Sequence, residues 1–256
     1  MSPRRRDTAP AVCIVVPCYN EALRLQPDAF VDALEAQPRL RLLFSNDGST
    51  DATASVLEEL RVRRPDRIAI RTLAANAGKA EAVRQGLNAA LAEGHSLVGF
   101  WDADLATPLD AVPEFVALLD ARPELEVVIG ARVRLLGRNI ERNPVRHVLG
   151  RGFATIASLS LQIPVYDTQC GAKLFRAGPA LSRVLAEPFE SRWIFDVELL
   201  TRIDAERRSR GLEGAASCVC ELPLRSWRDV KGSRVKAGDF VKAGGELLRL
   251  VVRRAG

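Results

Sequence analysis

Asp102 and Asp104, one residue apart in FWDADLATP, close an apolar run and precede a segment opened by Pro108. Acidic side chains at the end of a buried strand cost free energy unless something positive answers them. A hard divalent cation, Mg2+ or Mn2+, answers them best: it takes oxygens from one or two carboxylates and fills its octahedron with water and phosphate oxygens. Ala103, between the two, is small enough to let a bulky substrate lie against the backbone. The same pair also reads as an acidic cluster at the N-terminus of the helix from Pro108, with Asp104 favoured by the helix dipole. A lone D-x-D is common in surface loops, so its weight comes from its company. PCYNE (17–21), NDGSTD (46–51) and NAGKAEAV (76–83) each follow a strand-like run in the same way. Four polar clusters at successive strand ends would converge on one rim, which a chance distribution of loops explains poorly.

The elements that must position these clusters alternate. VCIVV (12–16) is a β-branched run that stops at Pro17, a buried strand. Helical apolar spacing runs from about residue 21 to 37 and ends at Pro38. LRLLFS (40–45) is a second strand, and NDGSTD turns into a helix capped by Ser49 or Thr50. RIAIRTL (67–73) is a third strand, followed by a helix over 79–93 that Gly94 closes. SLVGFW (96–101) is a fourth, then a helix over 108–121 opened by proline, then LEVVIGAR (125–132) as a fifth. This alternation predicts an α/β fold, a Rossmann-like, doubly wound, mainly parallel sheet with ligands outside the carboxyl ends of its strands. Past Gly137 the pattern changes: a helix over 145–162, a strand or turn at DTQCGAKLF, and another helix following from DVELLTRI. A strand near 216–224, a basic loop and a final amphipathic helix over 236–254 complete the chain. Residues 1–10 read as a disordered basic tail, and 11–256 as a single domain with a nucleotide half (11–132) and an acceptor half (133–256).

At 256 residues the chain can bury a substantial core, and its apolar (47%) and charged (27%) fractions are those of an ordinary soluble protein. No apolar stretch approaches the roughly 20 residues of a membrane-spanning helix. The first residues, MSPRRRDTAP, lack the apolar core of a secretory signal. Five cysteines (Cys13, Cys18, Cys170, Cys218, Cys220) form neither a CxxC pair nor a cluster with histidine, so they read as reduced packing thiols of a cytoplasmic protein. A net charge of +5 suits anionic ligands or an anionic membrane surface, while the interleaved aromatics of a nucleic-acid reader are missing. Arg4–Arg6, SWRDVKGSRVK and the last helix would suit peripheral attachment to the cytoplasmic membrane face, with a solvated tail as the alternative. His95 and His147 lack the partners of a nucleophilic triad.

In order, VVPCYNE, SNDGSTDAT, NAGKAEAVRQG, DAD, GAR, DTQCGAKLF and RWIFDVELL resemble the family 2 glycosyltransferases with the GT-A fold, from about residue 12 to the C-terminus. Within that family the chain is most similar to the dolichyl-phosphate glucose and mannose synthases, and DTQCGxKLF with RWxFDVELL and KGSR favours the glucose type. The resemblance implies an inverting transfer of a sugar, glucose from UDP-glucose being favoured, to a polyprenyl or dolichyl phosphate. It implies that Pro17, Tyr19 and Glu21 line the nucleoside pocket, with Tyr19 against the base and Glu21 on the ribose hydroxyls. Asp47 would bond the base edge; an Asx turn is the alternative use of that carboxylate, and the two can coexist. Asn76, Gly78 and Lys79 open a helix whose N–H groups and ammonium suit a base or a diphosphate. Asp102, Ala103 and Asp104 would frame metal and diphosphate, so that the nucleotide leaves with its charge neutralised.

On the acceptor side the resemblance gives Arg132 and Arg146 the acceptor phosphate, through bidentate pairing that lysine makes less well. Mannose-type members carry a serine one turn after the second arginine, where this chain has Gly150, and a glutamine two residues after the D-x-D, where it has Ala106. The third metal ligand is then water or comes from elsewhere. Asp167, Gln169 and Asp196 are candidates for the donor sugar's hydroxyls or for a base, with Asp196 alternatively a helix N-cap. Arg234 would reach the diphosphate from a basic lid over 226–236, a segment that otherwise reads as a solvated linker.

Mechanism separates the candidate acceptors. A sugar hydroxyl needs a general base. A polyprenyl phosphate, with a second pKa of about 6, is already an anion and needs only positioning. The processive synthases of the family carry Q-x-x-R-W, and here Phe189 stands where that glutamine would precede Arg192–Trp193. The lipid phosphate is therefore favoured over a hydroxyl acceptor in cell-surface glycan synthesis. A nucleotide-sugar sensor without activity would have lost a D-x-D carboxylate or Lys79, and a nucleotidyltransferase would want a glycine-rich loop that VPCYNEAL lacks.

Overall fold

The structure, a computed structural model, describes residues 12–141, 165–192, 194–230 and 245–246. Seven strands form one sheet: β1 (Val12–Cys18), β2 (Leu40–Asn46), β3 (Ile68–Thr72), β4 (Leu97–Trp101), β5 (Val127–Ala131), β7 (Ala172–Arg176) and β8 (Val219–Pro223), in the order β3-β2-β1-β4-β7-β5-β8. A second, two-stranded sheet pairs β6 (Asn139–Glu141) with β9 (Ser226–Arg228) in parallel. The helices are α1 (Pro27–Ala36), α2 (Thr53–Arg63), α3 (Lys79–Ala92), α4 (Val112–Ala121), α5 (Pro179–Val184) and α6 (Phe195–Ser209). β1, β4 and β5 are buried almost throughout, which is why their sequences read as continuous apolar runs rather than alternating ones. The mainly parallel α/β sheet expected from the alternation is present. Its one antiparallel member, β7, lies between β4 and β5 and resolves DTQCGAKLF as a strand. Gly99 permits that pairing, because a Cβ there would collide with the Lys173 carbonyl.

Several boundaries move, each for a local reason. β1 continues through Pro17 to Cys18, and proline is tolerated because β4 pairs with β1 only as far as Val15. The first helix begins at Pro27 rather than near residue 21, since Glu21–Leu25 close a separate turn in which Arg24 N and Leu25 N donate to the Glu21 carbonyl. Neither Ser49 nor Thr50 caps α2. Both bond Asn20, and Asp51 instead accepts the Thr53 and Ala22 N–H groups. The helix expected from residue 108 is a 3-10 turn, Leu109–Ala111, leading into α4. The N-cap of α6 is Ile194, so Asp196 is not its cap but a buried residue of the first turn. The helices expected over 145–162 and 236–254, and the tail 1–10, lie outside the described residues apart from 245–246. All five cysteines are free, and burial pushes the Cys170 thiol up to about 11 and those of Cys13 and Cys218 to about 12. Cys13, Cys18, Cys170 and Cys218 are buried packing thiols, and Cys220 is half-buried.

Candidate active site

In a parallel sheet the loops after β1, β2 and β4 leave from one edge, and the reversal of winding between β1 and β4 opens a crevice there. The first wall is built from the loop after β2. Asp47 is buried, and its carboxylate accepts the Asn76 side-chain amide (2.9 Å) and the Ala77 (2.7 Å) and Gly78 (2.8 Å) N–H groups. It thereby holds the 76–78 loop, 29 to 31 positions away in the chain, which is a tertiary contact and not the Asx turn expected as the alternative to a base contact. Gly48, at φ +60°, is required: a Cβ would lie 2.6 Å from the Ala75 carbonyl carbon. Gly78, at φ +95°, turns the chain into α3, so Lys79 becomes its first residue.

Lys79 reaches across to β4 and pairs with Asp102 at 2.5 Å. Asp102 is fixed from the other side by β7's approach loop. Its N–H donates to the Gly171 carbonyl (3.0 Å), and a Cβ on Gly171 would collide with its carboxylate. The turn then tightens: Leu105, at φ +51°, donates its N–H to the Asp102 carbonyl, and Ala106 N–H donates to Asp104 Oδ1 (3.1 Å). Asp104 Oδ2 accepts from Arg24 at 3.0 Å, and the same guanidinium pairs with Glu21 at 3.2 Å. Glu21, Arg24, Asp104, Asp102 and Lys79 thus form one charged cluster in which Arg24 and Lys79 flank the two aspartates. Burial, then the neighbouring Asp102, holds the Asp104 carboxyl above its usual range, although the Ala106 N–H, Arg24 and Lys79 pull the other way. Burial opposes the charge on Lys79, but Asp102, Asp196 and Asp104 outweigh it and raise its pKa.

Two further ion pairs lie on the segment after β5 and between β7 and α6. Asp167 takes Arg132 in a bidentate fork (2.6 and 2.7 Å), accepts its backbone N–H as well, and is held in turn by Glu221, which accepts the Tyr166 and Asp167 N–H groups. The Arg132 guanidinium lies 5.3 Å from the Trp227 ring centre. Asp196 pairs at 2.5 Å with Lys173, whose ammonium also donates to the Cys170 carbonyl; both side chains are buried. Beside them, Thr168 Oγ1 and Gln169 Nε2 are enclosed with no hydrogen-bond partner among the described residues.

The structure therefore gathers Glu21, Lys79, Asp102, Ala103 and Asp104 around one crevice, with Pro17 and Tyr19 at the end of β1 and Asp47, Asn76 and Gly78 behind Lys79. Arg132 and Asp167 are together, Asp196 is joined to Lys173, and Arg146 and Arg234 lie outside the described residues. Sequence reasoning missed four participants. Arg24 could have been found from its i,i+3 spacing to Glu21. Gly171, Lys173 and Arg192, which reaches the Ala77 carbonyl at 3.4 Å, had no local signal because their partners are distant in the chain.

A doubly wound sheet whose carboxyl edge joins a paired-carboxylate turn to a helix N-terminal lysine defines a GT-A glycosyltransferase. The chain belongs to glycosyl transferase family 2, whose family model matches residues 13–181. It is 31% identical over 250 residues to a dolichyl-phosphate beta-glucosyltransferase of Trichomonas vaginalis, covering 93% of this chain and 70% of that one. With the human dolichyl-phosphate beta-glucosyltransferase it shares 32% over 255 residues, covering 94% and 74%. Among solved structures, glucosyl-3-phosphoglycerate synthase from Mycobacterium tuberculosis with Mn2+ and UDP-glucose shares the fold, with a TM-score of 0.62 and 18% identity over 96% of this chain and 79% of that one.

Proposed function

We propose that the protein is an inverting hexosyltransferase that moves glucose from UDP-glucose to a polyprenyl phosphate of the dolichyl type. The single observation that carries this reading is the cluster in which Asp102 and Asp104 stand between Lys79 and Arg24 on the carboxyl edge. The names of its relatives, dolichyl-phosphate beta-glucosyltransferases, support the sugar and the acceptor.

The donor set fits a divalent cation. Two carboxylates supply hard oxygens, no third His, Cys, Asp or Glu completes a metal cluster among the described residues, and a diphosphate with water would supply the rest. Asp102 and Asp104 would hold Mg2+ or Mn2+, and the Mn2+ complex of the mycobacterial fold relative supports the class of ion. When bound, the ion neutralises charge on the departing diphosphate. Lys79 and Arg24 balance the two carboxylates in the free protein, and Lys79, with the first N–H groups of α3, brings positive charge to the diphosphate side. Glu21 and Tyr19 would hold the nucleoside.

At the acceptor the chain needs only to orient an anion. An oxygen of the lipid phosphate attacks the anomeric carbon as the bond to the nucleotide's diphosphate breaks, so one C–O bond forms, one breaks and no proton moves. Arg132, braced by Asp167 and Trp227, is the orienting residue for that phosphate, with Arg146 as its expected companion. A hydroxyl acceptor is the weaker alternative, because Asp167 and Asp196, the candidate bases, are already committed to Arg132 and Lys173.

The test is to incubate the protein with Mg2+ or Mn2+, a polyprenyl phosphate and a panel of nucleotide-sugars, and to measure nucleoside diphosphate release. Release from UDP-glucose that depends on the lipid phosphate is the expected result. Release only with sugar hydroxyl acceptors would replace it by the alternative.

A further inference from the structure

Arg132 is the first residue after β5, so the chain beyond it projects from the edge that carries Asp102 and Asp104. Three residues on, Arg138 N–H donates to the Leu135 carbonyl at 3.1 Å and closes a four-residue turn, with Gly137 at φ +78° in its third position. The tip of that turn is leucine. Leu136 is fully exposed (105%) and Leu135 beside it is 48% exposed, where turn chemistry ordinarily places polar or small residues. The stretch 132–139 contains Arg132, Arg134 and Arg138 and no acidic residue. Its base is braced: Asn139 N–H donates to the Arg225 carbonyl, and β6 pairs with β9. Arg225 and Arg228 thereby stand alongside, largely exposed, with Glu114 and Glu141 as their partners.

One exposed leucine carries no message. Among the described residues, however, Leu23, Leu135 and Leu136 make up three of the five exposed large apolar side chains, and Leu23 lies on the turn after β1, at the same edge. We infer that the Leu135–Arg138 turn docks the protein on an anionic lipid bilayer beside the acceptor side of the site, an inference that rests on the acceptor being a lipid phosphate. Leu135 and Leu136 enter the headgroup–acyl boundary while Arg138 meets lipid phosphates at headgroup level. A water-exposed crevice is thereby brought to the plane in which the phosphate of a lipid acceptor lies.

Flotation of the full chain with phosphatidylcholine vesicles, with and without phosphatidylglycerol, tests this without donor or polyprenyl phosphate, so its outcome is independent of the transferase reading. The wild-type protein should float with the anionic vesicles, and the Leu135→Ser, Leu136→Ser double variant should bind about ten-fold or more weakly, as expected for withdrawing two leucines from the acyl boundary. Its transfer to a short, water-soluble prenyl phosphate should be unchanged. Leu136→Trp should keep vesicle binding, and its added fluorescence should be quenched by brominated lipid. Failure of the wild type to bind, equal binding by the double variant, or an unquenched Trp at 136 would each overturn the inference. A double variant that shifts the sedimentation of the protein but not its vesicle binding would assign the turn to contact between copies of this chain, and would overturn it too.

Discussion

Asp104, a proposed metal ligand, is held at a cost to stability. Its carboxyl is raised by burial and by Asp102, so the folded chain binds that proton more tightly than the unfolded chain does. The resulting stabilisation is complete below the unfolded pKa and is lost as pH rises through the folded one; at neutral pH the charge is a burden. Asp104→Asn should therefore abolish transfer yet melt no lower than the wild type at pH 7, read by circular dichroism beside a UDP-release assay. Full turnover by the variant, or wild-type turnover in excess EDTA, would remove the carboxylate from the metal role. Gly171 is a second case. Alanine there would push its Cβ into the Asp102 carboxylate, and misplacing a positioned group by about 1 Å is enough to cost on the order of 100-fold in rate. Gly171→Ala should show that loss together with weaker Mn2+ binding by electron paramagnetic resonance, and intact Mn2+ affinity would show that Asp102 tolerates the shift. Arg132→Ala should weaken the lipid acceptor more than the donor, by about 2 kcal/mol for one charged phosphate contact. Since the variant also strips buried Asp167 of its fork, Asp167→Asn is the control for stability.

Between elements, the bond that matters most is Lys173–Asp196, which ties the inserted strand β7 to the first turn of α6. Phe100 beneath the ammonium and Phe195 against Phe100 keep water from it. Removing one member leaves a buried charge without its partner, which costs roughly 3–5 kcal/mol. Lys173→Met should lower the unfolding free energy obtained from a urea titration by that amount, and adding Asp196→Asn should recover part of it. A single variant as stable as the wild type would show that the pair is better hydrated than its burial indicates. The antiparallel strand itself was legible only as a strand or turn, because nothing local in DTQCGAKLF says which two strands it will separate. The start of α2 was displaced for a related reason: Ser49 and Thr50 resemble caps in sequence, yet their hydrogen bonds go to Asn20 and join the loops after β1 and β2.

At the scale of the whole molecule, the crevice joins loops from β1, β2, β4 and β7, so a ligand that spans it stabilises all of them at once. UDP with Mn2+ at about 100 times its dissociation constant should add about 2.7 kcal/mol, a rise of roughly 5–11 °C in melting temperature for a chain of this size. Neither component alone should match the shift, because Lys79 and Arg24 already answer the carboxylates when no ligand does. Equal shifts with UDP in EDTA would argue against a shared site. The sequence by itself determined the alternation of strand and helix and the polar clusters at the carboxyl edge, in which Glu21, Lys79, Asp102 and Asp104 stand. These are properties of periodicity and of residue type at strand ends, which local chain physics dictates. Only the tertiary structure decided which charge faces which. Arg24 meets Asp104 across 80 positions, Arg132 is spoken for by Asp167, and Lys173 claims Asp196, because partners that meet through folding leave no periodic trace in the chain.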